Sequence, residues 1–257
     1  MRLDTSDKSR FEFGLDKPLE LRGDWAVTAD WHVPLYDAGL VNKFLDEANK
    51  GEFKNLLIAG DFLNGDSLSQ YYPKQKSAGI EKEVSEAKAL METLCQNFSN
   101  IVFTMGNHDY RYTKAAEYRE SFVESMTEVF KDVPRHGCRL KFSNLDHCYL
   151  TSNKERYFIA HPSTYSKNPL NNPLAIAEVK KCHTLTAHTH HCAMGWDPSG
   201  EYIVGELGGF FNIQQTEYLQ GTTTYPNWCN GYWFIKNGKP YMVTYGARGM
   251  KTHSRIG

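Results

Sequence analysis

Ile101-Val102-Phe103-Thr104-Met105-Gly106-Asn107-His108-Asp109 is the stretch on which the fold turns. Its first five residues form a short apolar, β-branched run with the composition of a buried strand. The run stops at a glycine and then presents an amide, an imidazole and a carboxylate in succession. Open α/β folds carry their chemistry at that carboxyl end of the strands. Gly followed by Asn and Asp is also ordinary turn chemistry, so the stretch gains its meaning from its company. Four other strand-like runs end in metal-ligand residue types: at Asp30-Trp31-His32, Gly60-Asp61-Phe62-Leu63-Asn64, Ala160-His161 and Ala187-His188-Thr189-His190.

On the amino-terminal side, Trp25 to Ala29 and Asn55 to Ala59 read as strands. Between them a helix is predicted from an N-cap at Asp37 to about Asn49, with Leu40, Val41, Phe44, Leu45 and Ala48 on one face and Gly51 past its end. Strand, helix, strand implies a parallel, right-handed crossover. A polar stretch, Asn64 to Ala78, follows as a candidate lid. It holds Tyr71, Tyr72, Lys74 and Lys76, an aromatic and basic lip on which a base could stack. Ile80, Val84, Ala87, Met91, Leu94 and Phe98 then trace a helical stripe. One more helix is expected from about Lys114 to Phe130.

Beyond Pro134 the texture becomes β-rich. Cys148 to Leu150, Tyr157 to Ala160 and Thr184 to Ala187 read as strands, with a short helix near Pro173 to Lys181. Tyr232 to Ile235 and Tyr241 to Thr244 form a hairpin around Asn237-Gly238. The expected architecture is α/β, two stacked β-sheets flanked by helices, in a single domain over 1–257. Residues 1–24 would be an arm or edge element and 196–257 a β-rich carboxyl-terminal part.

Hydrophobic residues make up 40% of the 257 and aromatics 13%, enough for a substantial core. A net charge of -1 argues against a broad basic surface wrapping nucleic acid, and favours a short substrate over a long duplex. No apolar run is long enough to span a membrane, and the charged amino-terminal stretch lacks the apolar core of a signal peptide. The six cysteines are scattered without a C-x-x-C pair, which fits reduced thiols in a cytoplasm. Cys192 is read as a half-buried thiol near the site rather than a soft-metal ligand.

Asp30, His32, Asp61, Asn107, His161, His188 and His190 supply carboxylate, imidazole and one amide, and no thiolate. That mixture suits borderline and harder divalent ions. Seven donors exceed one tetrahedral site but suit two ions sharing a carboxylate. Such a pair, roughly 3.5–4 Å apart, can bind a phosphate and hold a bridging hydroxide for in-line attack.

With these five motifs in order, the chain resembles the calcineurin-like metallophosphoesterases, whose pattern is D-x-H, G-D-x-x-N/D, G-N-H-D/E, a single His, and G-H-x-H. The resemblance spans Asp30 to His190, with Ala187 standing where the last motif usually has Gly. It implies an αββα sandwich and two divalent ions, Mn foremost, with Fe, Zn, Ni or Mg as alternatives. Asp30, His32 and His190 would hold the first ion, Asn107, His161 and His188 the second, and Asp61 would bridge. His108 would contact the phosphate and protonate the leaving oxygen, with Asp109 orienting its ring. A looser likeness, carried by Gly60 to Leu63, Ser67, Ser69, Asn227-Trp228 and Gly231-Tyr232, is to phosphoesterases of bacteriophages and prophages, whose cytoplasm would be the host's.

Arg111 is a candidate substrate contact, because a guanidinium suits phosphate, or else a solvated residue at a helix start; His191 is an ordinary polar residue, or a contact supporting the metal ligands or the substrate. Trp31 is either packing beneath the site or a base-recognition surface. His136, His147, His183 and His253 are read as ordinary polar residues. The favoured activity is hydrolysis of phosphodiesters, in nucleotides or nucleic acid, because a diester expels a poor alkoxide and profits from a positioned acid. The alternatives are a phosphomonoesterase or protein phosphatase, and a metal-binding scaffold without chemistry.

Overall fold

Strand β4 (Asn100–Thr104) lies inside a sheet whose parallel part runs β2 (Trp25–Thr28), β3 (Asn55–Ala59), β4, β5 (Arg139–Ser143). The computed structural model describes residues 17–69, 79–117, 119–212, 227–245 and 251–255. Beyond β2 the sheet continues antiparallel through β11 (Asn230–Lys236), β12 (Lys239–Tyr245) and β13 (Lys251–Arg255), seven strands in all. The second sheet holds six: β1 (Leu19–Arg22), β6 (His147–Ser152), β7 (Glu155–Ala160), β8 (His183–Thr186), β10 (Ile203–Leu207) and β9 (Cys192–Trp196), in that spatial order.

Alternation along the strands explains the layering. In β3, Leu57 and Ala59 face the second sheet and join Val27, Leu150, Ile159, Leu185 and Trp233 in a core between the sheets. Leu56 and Ile58 face the other way, onto α1 (Ala38–Lys50) and α2 (Ile80–Asn97), beside Phe44, Met91 and Leu94. The outer face of the second sheet receives α5 (Asn171–Lys180) through Ile176 against Phe158. The result is an αββα sandwich. Phe44, fully buried among Trp31, Phe98, Phe210 and Phe234, contributes roughly 1.5–3 kcal/mol by its burial.

Local signals are met where they are strongest. The Asp37 carboxylate accepts the Leu40 N–H at 3.0 Å as the N-cap of α1. Asn237 and Gly238 both take positive φ, +52° and +79°, in the β11–β12 hairpin. The single helix expected over 114–130 is instead two, α3 (Tyr110–Ala115) and α4 (Phe122–Val129). Glu117 turns left-handed at φ +54°, and Ser121 with Glu124 forms a capping box that starts a new helix. Strands β5, β9 and β10 had no clear signature. β5 is an edge strand of alternating charge, and β10 carries a buried glutamate.

Trp31 is packing. Its ring is wholly buried, stacks on Phe210 with centroids 4.2 Å apart, and donates its indole N–H to Thr28 Oγ1 at 3.0 Å. No described helix is long and apolar enough to cross a membrane.

Candidate metal centre

The carboxyl ends of β2, β3 and β4 in one sheet and of β7 and β8 in the other open onto the same place. The seven expected donors come together there. His32 Nε2 and His190 Nε2 stand 3.1 Å apart, with Asp30 Oδ1 3.3 Å from the latter. His161 Nε2 lies 3.0 Å from Asn107 Oδ1 and 3.2 Å from Asp61 Oδ2. The Asp30 carboxylate also accepts the His188 N–H at 3.1 Å. Three groupings place one donor atom of each member within 4.8 Å of the others: Asp30, His32, His190; Asp61, His161, His188; and His32, Asp61, His108. Asp61 is common to the last two, and the last meets the Asp30 set at His32.

The backbone here is held in an unusual conformation. Asp30 (φ +53°), His32 (+48°), Asp61 (+52°), His188 (+77°) and His190 (+56°) are all non-glycine residues in the left-handed region. Each such residue costs on the order of 1–3 kcal/mol and persists where its surroundings over-determine it. The lacing is visible. Trp31 and His32 both donate their N–H to Asp61 O, at 2.8 and 3.1 Å, and Asp30 N–H donates to Gly60 O at 3.1 Å. Gly60 and Gly106 make the approach possible: a Cβ on the first would meet the His161 ring, and on the second the Asp61 carboxylate.

The tautomers suit ligation. His161 Nδ1 faces Ala59 O at 3.0 Å and His32 Nδ1 faces Asn64 Oδ1 at 3.2 Å, so each donates there and turns its Nε2 inward. Burial would raise Asp30 and Asp61, but the surrounding imidazoles hold both below the ordinary carboxylate value. His32 is kept low by burial and by His108 and His190. Burial opposes a charge on His161, yet Asp61 and Asp30 push it up to about 10. His188 is lowered by burial and His161.

The donor atoms themselves test the fit to cations. Asp30 Oδ1 is buried without a hydrogen-bond partner. One proton between the His32 and His190 nitrogens leaves the Asp30 oxygen with none, and two would collide. A cation satisfies all three, and the demand for positive charge is the one that raises His161. The set fits divalent metals. Among the described residues no grouping includes a cysteine.

Asp109 departs from expectation. It does not touch the His108 ring: its carboxylate accepts backbone N–H groups from Asp61 (2.6 Å), Gly106 (3.0 Å) and Leu63 (3.0 Å). Successive side chains at a helix start diverge, so neighbours in sequence do not face each other. Burial and then Asp61 push its carboxyl up to about 8. The ring of His108 is oriented by the Asn64 carbonyl, 2.7 Å from Nδ1. Loss of solvent and the Arg111 charge hold His108 below its ordinary value, against the opposing pull of Asp61, the Asn64 carbonyl and Asp66.

Arg111 donates through Nη1 to Asn64 O (2.9 Å) and Asp66 Oδ1 (3.0 Å), and its Nη2 lies 3.3 Å from His108 Nε2. His191 is buried, with Nδ1 3.3 Å from Glu206 Oε2, which places it in the wall and not in the cleft. Glu206 also accepts from Thr189 Oγ1 (2.7 Å) and Leu170 N (2.8 Å). Of the candidate lid, residues 64–69 border His108 and Arg111; Tyr71, Tyr72, Lys74 and Lys76 lie outside the described residues. Asn64, Glu206, Phe211 and Trp228 were not singled out from sequence as site residues. The two rings pack on His190 with centroids 4.6 and 5.0 Å away. Asn64 carries a sequence signal as the last residue of its motif, and Trp228 as part of the looser phage likeness.

A sandwich with carboxylate and imidazole clusters at converging strand ends has the donor set of a metal-dependent enzyme. The family model for calcineurin-like phosphoesterases matches residues 25–207, and the chain belongs to that family. Similar solved structures include Vps29 from Entamoeba histolytica in complex with Zn²⁺, 15% identical, TM-score 0.49, covering 91% of this chain and 98% of that one. Another is the phosphoesterase YfcE from E. coli, 13% identical, TM-score 0.47, covering 91% and 100%. A third is a dimetal phosphatase from Danio rerio, 11% identical, TM-score 0.45, covering 94% and 100%. No curated protein matches the chain. The narrower phage likeness gains no support from these relatives.

Proposed function

We propose that the ester hydrolysed is a phosphodiester, in a nucleotide or short nucleic acid, with His108 as general acid. The observation that supports this is the tether on His108. Its Nδ1 is committed to the Asn64 carbonyl, which leaves Nε2 beside Arg111 Nη2 at the edge of the His32 and Asp61 donors. Two divalent cations, Mn²⁺ in this proposal, held by Asp30, His32, Asp61 and His190 and by Asp61, Asn107, His161 and His188, would supply charge neutralisation and an activated water.

The remaining chemistry belongs to the side chains. Arg111, fixed by Asp66 and the Asn64 carbonyl, offers Nη2 to a phosphate oxygen. The arriving negative charge counters the desolvation and the guanidinium that depress His108, and so favours its protonated form when substrate is bound. As water's oxygen bonds to phosphorus and the ester P–O bond breaks, the Nε2 proton passes to the leaving alkoxide. An alkoxide needs that proton far more than a nitrophenolate does.

The test is turnover with added Mn²⁺ on bis(4-nitrophenyl) phosphate beside 4-nitrophenyl phosphate, followed by dinucleotides and nucleoside monophosphates. Diesters should be cleaved with the higher kcat/KM. A tenfold preference for the monoesters overturns the diesterase assignment in favour of a monoesterase. Bound metal with no turnover on the panel indicates a scaffold.

A further inference from the structure

Glu83 lies in the first turn of α2, only 3% exposed, in a helix whose neighbouring acidic residue Glu81 faces solvent. A buried carboxylate is costly unless its oxygens are hydrogen-bonded. Glu83 Oε1 accepts two donors, the Gly65 N–H at 2.7 Å and the Tyr112 hydroxyl at 2.7 Å. Both lead to the site. Tyr112 follows Arg111 on α3, so the carboxylate pins the helix that carries the guanidinium.

The Gly65 N–H belongs to the same peptide group as the Asn64 carbonyl. That carbonyl accepts from His108 Nδ1 at 2.7 Å and from Arg111 Nη1 at 2.9 Å. One peptide plane therefore has Glu83 on its N–H side and His108 with Arg111 on its oxygen side. Hydrogen bonds in series polarise one another. A carboxylate accepting the N–H draws electron density towards the oxygen, which becomes a stronger acceptor for the imidazole. Rigidly, the same bond fixes the carbonyl's direction, and with it the plane of the His108 ring.

We infer that Glu83 is a positioning residue for His108 and Arg111, acting through the Asn64–Gly65 peptide group. In its kinetic part this rests on the general-acid reading of His108; the hydrogen-bond linkage itself does not. Asp109, which the motif places next to His108, holds backbone instead, and the carboxylate that supports the imidazole comes from another helix.

The experiment compares the Mn²⁺-supplemented 257-residue wild type with Glu83→Gln and Tyr112→Phe at about pH 8.5, where Glu83, raised by burial to about 7, is a carboxylate. Glu83→Gln keeps a carbonyl oxygen for both donors and removes the charge. Thermal unfolding and metal content establish that each variant folds and loads. For Glu83→Gln, kcat on a dialkyl or dinucleotide substrate should fall roughly tenfold, part of the hundred- to ten-thousand-fold available from a general acid. KM should stay within about twofold, and bis(4-nitrophenyl) phosphate should lose less than about threefold. Tyr112→Phe should show the same selectivity with a smaller loss.

A second readout does not depend on turnover. In proton NMR of the metal-free protein, the His108 Nδ1–H resonance, assigned by its disappearance in His108→Asn, should move upfield in Glu83→Gln as its bond to Asn64 weakens. An unmoved resonance overturns the linkage, as does a uniform loss on both leaving groups, or no loss on either. If His108→Asn itself shows no leaving-group selectivity, the general-acid reading has failed; the Nδ1–H shift then still decides the Glu83 linkage. Should Glu83→Gln not fold, Tyr112→Phe carries the same two readouts, and their absence there overturns the inference.

Discussion

The Asp109 carboxylate accepts the backbone N–H of Asp61 at 2.6 Å, across 48 residues of chain. It thereby ties the loop after β4 to the loop after β3 and helps hold Asp61 at its left-handed φ. His108, one residue earlier, turns the other way and leans on Asn64. Neighbouring members of one motif thus make unlike contacts, one lacing the backbone loops and the other standing beside His32 and Asp61.

Among the described residues Asp61 groups with His161 and His188 on one side and with His32, a member of the Asp30 set, on the other, so its loss should reach both metal positions. Purified protein is expected to hold two divalent ions per chain by elemental analysis, to lose turnover on chelation, and to regain it with Mn²⁺. Asp61→Asn should lower metal content and activity more than any other single ligand change. One tightly held ion with full activity would refute the dinuclear arrangement.

Asn64 serves two histidines by different atoms, its side chain towards His32 and its carbonyl towards His108. Asn64→Ala keeps the carbonyl and removes the side-chain contacts, to His32 and from Nδ2 to Asp66 Oδ2 at 2.5 Å. Metal affinity should drop about ten- to a hundredfold, the usual effect of losing a partner of a ligating histidine. Leaving-group dependence, governed by the intact carbonyl, should not change. Isothermal titration with Mn²⁺ and a series of aryl and alkyl diesters would separate the two.

His108→Asn should retain both metals and lose roughly a hundred- to ten-thousand-fold in rate on alkoxide leaving groups. On nitrophenyl esters the loss should be smaller. Equal losses on both would assign His108 to phosphate positioning, and a missing ion would make it a ligand, which its place beside His32 and Asp61 makes a sharp comparison.

Trp31→Ala should destabilise the fold by about 3–5 kcal/mol through the cavity left against Phe210, Phe44 and Phe62. Its kcat/KM ratio between nucleotide and non-nucleotide diesters should stay constant. A changed ratio at unchanged stability would restore a role in base recognition.

Burial raises Glu83 to about 7 from an ordinary 4.5, helped by Asp66 and opposed by the Tyr112 and Gly65 bonds. Because the folded pKa exceeds the unfolded one, the stability it contributes is full below about 4.5 and is lost as pH rises through about 7. Over that window the folded state holds a proton the unfolded chain has released. Urea unfolding of wild type should therefore weaken relative to Glu83→Gln by up to about 1.4 kcal/mol per pH unit between pH 5 and 7, and level off above. A constant difference over that range would show that the carboxyl does not titrate there.

The periodic elements were legible because their signals are local. Asp37 caps the next turn, Leu56 and Leu57 alternate faces, and Asn237-Gly238 suits a hairpin turn whatever surrounds it. The split between α3 and α4 was hidden because Ala115 and Phe122 keep a helical spacing across a break made by Glu117 and Ser121. Edge strand β5 was hidden for a different reason, since a strand covered on one face carries half the hydrophobic signal.

By itself the sequence determined the two-sheet class and which seven candidate donors would meet, because ligand types at strand ends are a matter of composition and order. Only the tertiary structure decided how they act. That Asp109 staples loops, that Asn64 orients two imidazoles, that His191 faces Glu206, and that Glu83 reaches the site through a peptide group all depend on which chain segments meet. Hydrogen bonds are short and directional, so a partner 15 to 48 residues away leaves no pattern along the chain; it exists once the sheets have brought the loops together.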